Sequence, residues 1–338
     1  MKKKSISKAD FVKKVSFLVE EKHLPKKYEK ILLQFFSSYS SSVEKAGIAL
    51  EIYLPIFDSF LFLIEKLLQS PHTFSTYHKK IRSPFDYYQF GIDFLKPLID
   101  PSLCRVIGNK YLDKIKDQIK AKKNIIFFSN HQTECDPQAI SILLEEKHPH
   151  LAEKIIYVAG ERVISDPLAI PFSLGCDLLC IYSKKYIAHP PGKKEEKLLH
   201  NRKTMQLMSQ LLTKGGQIIY VAPSGGRDRP NKQGILEIAH FDIQSLEMFY
   251  LMAKKAKKTT HFYPLSLATY NILPPPDKTN IEMGEQRIAE RGGIRLAVGE
   301  EIDMEHFPGS EEKNKTLKRK KRAEFIYSLV KTGYEKLV

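Results

Sequence analysis

The sequence predicts an α/β protein: a small N-terminal helical bundle, residues 1–78, ahead of a larger α/β domain, residues 79–338, whose mostly parallel mixed sheet is covered by helices. Three observations lead there. Apolar residues recur at helical spacing from residue 8 to about residue 73, and short β-type runs replace that texture from about residue 80. Helical patterns then separate several of the runs, an alternation that builds a parallel sheet with helices on both faces. At 338 residues, with 42% hydrophobic and 28% charged, the chain has room for about two domains and a sizeable core.

The elements follow in order. Phe11, Val15, Leu18 and Val19 set one helical stripe, and Leu50, Leu54, Ile56, Phe60, Leu61, Ile64, Leu67 and Leu68 set another. Pro25 and the Ser37–Ser42 cluster punctuate them, and Ser70-Pro71-His72-Thr73 reads as the boundary. Strands are expected at Ile125–Phe128, Ile155–Val158, Leu178–Tyr182, Gln217–Ala222, Phe262–Leu267 and Ile294–Val298. Helices are expected at Lys203–Leu212 and Phe241–Ala253. A last amphipathic helix, Leu317–Leu337, carries Phe325, Ile326, Leu329, Val330, Tyr334 and Leu337 on one side. No internal repeat is visible.

Four cysteines without C-x-x-C or zinc spacing read as reduced thiols of a cytosol-like compartment, with no metal or cofactor implied. The net charge of +15, with lysine runs at Lys2–Lys4, Lys254–Lys258 and Lys318–Arg322, suits an acidic protein, an anionic membrane or nucleic acid. Solvated helix faces are the plainer reading of any single run. The most apolar stretch, Ile52–Leu68, contains Pro55, Asp58, Glu65 and Lys66, too broken for a spanning helix. The N-terminus has lysines but no apolar core after them, so no secretory signal is expected, nor is a Ser-rich transit segment. A soluble or peripheral protein is the expectation.

Two loops hold the chemistry. Ser129-Asn130-His131-Gln132-Thr133-Glu134-Cys135-Asp136-Pro137 follows the apolar run Asn124–Phe128, where a strand ends and a helix begins. His131 offers a base near pH 7, and Asp136 a carboxylate able to fix its tautomer. The competing reading makes Asp136 a simple N-cap with Pro137 at the first helical position. Cys135 could be imagined as a nucleophile activated by the helix N-terminus. In open α/β sheets ligands bind beyond the carboxyl ends of strands, so a second such loop is sought. It is Ala222–Pro230, where Gly225 and Gly226 permit a tight turn and Arg227 and Arg229 offer planar forks for an oxyanion. A surface turn with Asp228 paired to a neighbouring arginine is the alternative. A third cationic strand end is Tyr182-Ser183-Lys184-Lys185. A base beside an anion clamp suits transfer to a hydroxyl of a small phosphorylated acceptor.

The His131-x4-Asp136 pattern resembles that of the glycerolipid acyltransferases, and a longer series is similar to the soluble, plastid-type glycerol-3-phosphate 1-O-acyltransferases. The blocks are Ser83–Tyr88, Pro97–Asp100, Ser129–Glu134, Val158–Val163, Asp166–Leu168, Val221–Pro230 and Ile272–Pro276. The resemblance implies a helical bundle before an α/β domain. It implies transfer of a fatty acyl group from acyl-(acyl-carrier protein), with acyl-CoA left open as donor, to the 1-hydroxyl of sn-glycerol 3-phosphate. His131 would be the general base and Asp136 its orienting partner, with Lys185, Arg227 and Arg229 at the acceptor phosphate. The basic surface would then meet the acidic carrier, and an anionic membrane by peripheral contact, in a bacterial cytoplasm or plastid stroma. Cys135 falls where the family usually has a small residue, which speaks against a thiol mechanism.

Two alternatives compete. Acylation of another lysophospholipid or alcohol is disfavoured because such relatives usually carry spanning helices. A nucleic-acid-binding module would interleave aromatics with the basic runs, and none do. One departure from the family matters: Tyr186 follows Lys185 where plant members carry histidine, and it adds a hydroxyl but no charge. Tyr186→His is therefore expected to lower the acceptor KM toward acid pH, where imidazole is protonated. An acceptor KM identical to wild type across pH would refute this role.

Overall fold

The structure, a computed structural model, describes residues 7–184, 187–276 and 284–338. Within them the strands are β1 (Tyr77–His78), β2 (Arg105–Ile107), β3 (Asn124–Ser129), β4 (Ile155–Ala159), β5 (Asp177–Cys180), β6 (Ile218–Val221), β7 (Arg229–Pro230), β8 (Leu236–Glu237), β9 (Thr260–Ala268) and β10 (Arg295–Val298). The helices are α1 (Lys8–Glu20), α2 (Lys26–Lys45), α3 (Leu54–Gln69), α4 (Tyr87–Leu95), α5 (Asn109–Lys120) and α6 (Asp136–Leu144). They continue as α7 (Pro149–Ala152), α8 (Glu161–Ser165), α9 (Ile170–Ser173), α10 (Lys194–Lys214), α11 (Ile243–Lys255) and α12 (Lys315–Glu335).

Eight strands form one sheet in the order β1-β5-β4-β6-β3-β9-β10-β2. The pairings are parallel except at β1–β5 and β9–β10, so the sheet is mixed and mostly parallel. β3 lies at its centre, every residue buried, because Ile125-Ile126-Phe127-Phe128 is apolar on both sides of the pleat. Ile125 and Phe127 face a layer with Leu112 and Ile115 of α5 and Ile140 and Leu144 of α6. Ile126 and Phe128 face the opposite layer, with Met208 and Leu212 of α10, Leu246 and Phe249 of α11, and Ile326 and Val330 of α12. β7 and β8 pair only with each other, as a separate ribbon.

A third apolar cluster joins α1, α2 and α3 to α4 and, beyond it, to Cys135, Ala139, Leu168, Ile272 and Ala289. The N-terminal helices therefore rest on the loops at one end of the sheet. Phe57 is the centre of this packing, its ring centroid 4.7 Å from Tyr39, 4.9 Å from Phe94 and 5.0 Å from Phe36. The Tyr39 hydroxyl donates to the Phe94 carbonyl at 2.8 Å, which satisfies the one polar atom that the aromatic cluster buries there.

The structure differs from the sequence reading at several ends. The strand expected at Leu178–Tyr182 runs from Asp177 to Cys180, and the helix expected from Lys203 begins at Lys194. The early turns of α10 hold charged residues around a buried Lys197, which pairs with Glu161 at 2.9 Å and conceals the apolar period. β1 and β2 were not expected: two or three residues carry no periodicity, and pairing to β5 and β10 alone makes them strands. Replacing Phe57 by alanine is expected to cost about 3–5 kcal/mol of unfolding free energy through the cavity it leaves. Urea denaturation tests this, and a loss under about 1 kcal/mol would mean that the bundle collapses freely around the gap.

Candidate active site

β3 ends at Ser129, and the chain then turns through a loop whose polar side chains have no water to meet. Asn130, Gln132 and Thr133 are fully buried. Each must find partners inside the protein. Asn130 Nδ2 donates to Asp228 Oδ2 at 2.7 Å and to the Leu267 carbonyl at 2.9 Å, while its Oδ1 accepts from the Leu267 amide at 2.8 Å. Gln132 Oε1 accepts from the amides of Thr269 and Tyr270 at 2.7 and 2.9 Å, and its Nε2 donates to Asp228 at 3.2 Å. The Tyr220 hydroxyl donates to the Asn130 carbonyl, and the Asp228 amide to the His131 carbonyl, both at 2.7 Å. The loops after β3, β6 and β9 are thereby one unit, with His131 between the two stapled residues.

His131 Nδ1 lies 2.7 Å from Asp136 Oδ2. Asp136 also accepts from the Gln132 amide, the Thr133 amide and hydroxyl, and the Thr269 hydroxyl at 2.6 Å, so five donors converge on one buried carboxylate. Burial alone would push its pKa up, but the bond to His131, the His131 charge and the other donors outweigh this and hold it below the usual carboxylate range. The side chain of His131 is 28% exposed against 2% for Asp136, so the imidazole is the member that a ligand can reach.

The N-cap reading of Asp136 is corrected. α6 begins at Asp136 itself, with Cys135 in the cap position and no side-chain cap bond. The carboxylate instead turns back to the loop, with Pro137 following it. Cys135 is buried, its thiol 3.0 Å from the Thr133 hydroxyl and pushed up to about 12 by burial, the opposite of an activated thiolate.

The second loop also differs from expectation. Asp228 pairs with neither adjacent arginine: it is fully buried, accepts from Asn130, Gln132 and the Ala239 amide, and burial pushes its pKa up to about 6. Arg227 is only 11% exposed, and its guanidinium binds Glu285 and approaches Glu134 at 3.7 Å. Glu285 also binds Arg162, while Glu134 accepts from Arg287 at 2.8 and 3.1 Å and Asp166 from Arg287 at 3.1 Å. Three arginines and three carboxylates thus form a buried network beside His131. Burial works against the charge on Glu134, yet Arg287 and Arg227 hold its pKa below normal; burial works against Arg287 too, and Glu134 and Asp166 hold its pKa above normal. Arg229 stands apart on β7 and donates to the Pro276 carbonyl. Lys184 bonds Asp242 at 2.9 Å, and Lys185 and Tyr186 lie outside the described residues. Among the described residues, no cluster of three or more His, Cys, Asp or Glu is arranged to hold a metal ion.

Sequence reasoning missed Asn130, Gln132, Thr269, Glu134, Asp166, Glu285 and Arg287. The first two and Glu134 stood within one block already singled out, and Asp166 opened another; Glu285 lies 58 and 123 residues from Arg227 and Arg162, Arg287 over 100 from Glu134 and Asp166, and no local spacing points to them.

Residues 111–267 match the family model described as Acyltransferase. A chloroplastic glycerol-3-phosphate acyltransferase of Cucurbita moschata is 41% identical over 80% of this chain and 62% of its own length. The chloroplastic enzyme of that name from Arabidopsis thaliana is 41% identical over 73% of this chain and 53% of its own. That of Carthamus tinctorius is 34% identical over 90% of this chain and 66% of its own. The chain thus spans somewhat under two thirds of the length of these relatives.

Asp136→Asn is expected to destabilise the protein by about 3–5 kcal/mol near neutral pH, because an amide nitrogen at either oxygen position would face a backbone amide that can only donate. The folded-state pKa of Asp136 is depressed, so its contribution is fully present above the unfolded value of about 3.9 and is lost as pH falls further. The stability gap between wild type and variant should shrink in acid. A gap that stays constant between neutral pH and the acid transition would mean that Asp136 is not held ionised by this network.

Proposed function

We propose that this chain, whose residues 111–267 match the acyltransferase family model, is a glycerol-3-phosphate 1-O-acyltransferase. It moves a fatty acyl group from acyl-(acyl-carrier protein), with acyl-CoA as a second donor, to the sn-1 hydroxyl of glycerol 3-phosphate and yields 1-acyl-glycerol 3-phosphate. The observation that carries the reading is the His131–Asp136 pair at the carboxyl end of β3, with its carboxylate held by five donors. The names of the relatives support the acceptor.

With Nδ1 committed to Asp136, Nε2 is the nitrogen left to act. The acceptor oxygen attacks the thioester carbonyl carbon while its proton passes to Nε2. The C–S bond then breaks, and the imidazolium returns the proton to the leaving thiolate. Asp136 stays ionised throughout and stabilises the imidazolium, the orienting role of a carboxylate in a triad. Arg227, Arg229, Lys185 and Tyr186 hold the acceptor phosphate. Since Arg227 is paired with Glu285 and Glu134, the phosphate competes with these carboxylates for one guanidinium. On this reading residues 79–338 carry catalysis and residues 1–78 brace its loops. Among the described residues no helix is long and apolar enough to cross a membrane. The relatives named chloroplastic favour the plastid stroma as the compartment.

The test follows thiol release and lipid product together, from palmitoyl- or oleoyl-(acyl-carrier protein) and glycerol 3-phosphate. His131→Ala should lower turnover by about 10²–10⁴-fold, while Cys135→Ala stays within about twofold of wild type. Thiol release without acceptor, abolished in Cys135→Ala, would replace direct attack by an acyl-enzyme. No acceptor-dependent product from any donor tried would sink the assignment.

A further inference from the structure

Two basic runs that lie 60 residues apart in the sequence meet in space. α11 and the first turns of α12 diverge around a groove of about 1000 Å³. The vertex is Glu247 on α11, which pairs with Arg322 and, at 3.2 Å, with Arg319. Arg322 is itself buried, stacked 4.3 Å from the Tyr250 ring. Met248, Leu251, Met252 and Leu317 line it together with Lys255, Arg319 and Lys320. Leu251 and Leu317, both in its lining, are 39% and 41% exposed.

The two runs beside it are basic, although Glu247 lines the groove and Glu305, Glu324 and Glu312 pair with Lys254, Lys320 and Lys321. Lys254 and Lys255 end α11 and Lys257 and Lys258 follow it, while Lys315, Lys318, Arg319, Lys320 and Lys321 open α12, with no acidic residue within either run. Among the described residues Lys255, Lys315 and Lys318 have no carboxylate within 4.0 Å. The groove also communicates with the catalytic end: Asp242, which caps α11, donates its amide to the Pro223 carbonyl at 3.1 Å and accepts from Lys184.

We propose that this groove docks an acidic amphipathic helix of the protein that delivers the acyl group. The proposal rests on the reading that the donor is borne by an acidic carrier. Shape and chemistry both select a helix. α11 has 13 residues, about 20 Å, enough for three to four turns of an incoming helix. A lining that combines leucines and adaptable methionines with Lys255, Arg319 and Lys320 suits the helix-in-groove mode, complementary to leucines flanked by Asp and Glu. A lipid surface is met by the apolar face of an amphipathic helix lying in the interface, whereas here the apolar side chains line a groove shared by two helices. Nucleic acid would need aromatic stacking faces, and the lining has none.

The test uses the full chain with two surface variants, Lys255→Glu/Lys320→Glu and Leu251→Glu, none of them in the catalytic loops. The KM for acyl-(acyl-carrier protein) should rise about tenfold in each, with kcat, the KM for acyl-CoA and the KM for glycerol 3-phosphate unchanged. A titration of the carrier protein itself, without turnover, should show the same weakening. An unchanged carrier KM, or a rise shared equally by acyl-CoA, would overturn the proposal. So would loss of sedimentation with phosphatidylglycerol vesicles while carrier binding is kept, which would make the groove a membrane contact. If wild type turns over neither donor, the catalytic reading fails and the titration alone decides: weaker binding by the variants retains the groove, equal binding removes it.

Discussion

The site depends on a problem that the end of β3 creates. A strand buried on both faces must terminate beneath other chain, so the residues that follow it leave the sheet without reaching water. Asn130 and Gln132 solve this with side-chain amides, which both donate and accept and can replace a missing ladder partner. Their bonds run to Leu267, Thr269 and Tyr270 after β9 and to Asp228 after β6. A buried amide left unmade costs about 1–3 kcal/mol, so loops held by this many bonds have little freedom to shift independently. His131 inherits that rigidity from both sides. On the proposed mechanism, a histidine held this way needs little reorganisation before proton transfer, which is where a positioned base draws its advantage.

The arginine–carboxylate network answers a different constraint. Three guanidinium groups near one histidine could not be buried alone, since the cost of desolvating each is several kcal/mol. Glu134, Glu285 and Asp166 neutralise them, and sharing makes the arrangement stable: Arg287 spans Glu134 and Asp166, and Glu285 spans Arg162 and Arg227. The consequence for an oxyanion is that it exchanges with a carboxylate rather than filling an empty clamp. On the proposed reading, the acceptor phosphate displaces Glu285 from Arg227, and a dianion competes with the carboxylate better than a monoanion does.

Much of the fold was legible from residue patterns. The continuous apolar run at Asn124–Phe128 marked a central parallel strand, and the period-3.6 stripes of Phe11–Val19 and Leu50–Leu68 marked helices that pack on a core. The edges were not legible, because β1 and β2 are too short to carry a period and exist only through β5 and β10. At the site, His131 and Asp136 stood out because they are five residues apart on one loop. The partners that give the loop its shape come from residues 228, 267 and 269, and those that neutralise Arg227 from 134 and 285. Nothing in the local sequence distinguishes a glutamate that will meet an arginine 150 residues away. Arg227 and Arg229 looked alike as neighbours, but their side chains lead to different surroundings: one is buried among carboxylates, the other is on a two-stranded ribbon.

The N-terminal helices belong to the same mechanical unit. Their cluster includes Cys135 and Ala139 at the head of α6, Leu168 near Asp166, and Ala289 near Arg287. Ser38 and Ser42 of α2 bind the Ala289 amide and carbonyl at 3.0 and 3.1 Å, so the segment carrying Glu285 and Arg287 is sewn to α2. Loosening α2 would therefore release the carboxylate that restrains Arg227 before it disturbed β3. Sheet and bundle divide the work: the sheet positions His131, and the bundle positions the charges around it. That division also explains the burial of Cys135. It sits where the bundle grips α6, and it serves there as a small apolar side chain whose thiol the same burial pushes up to about 12.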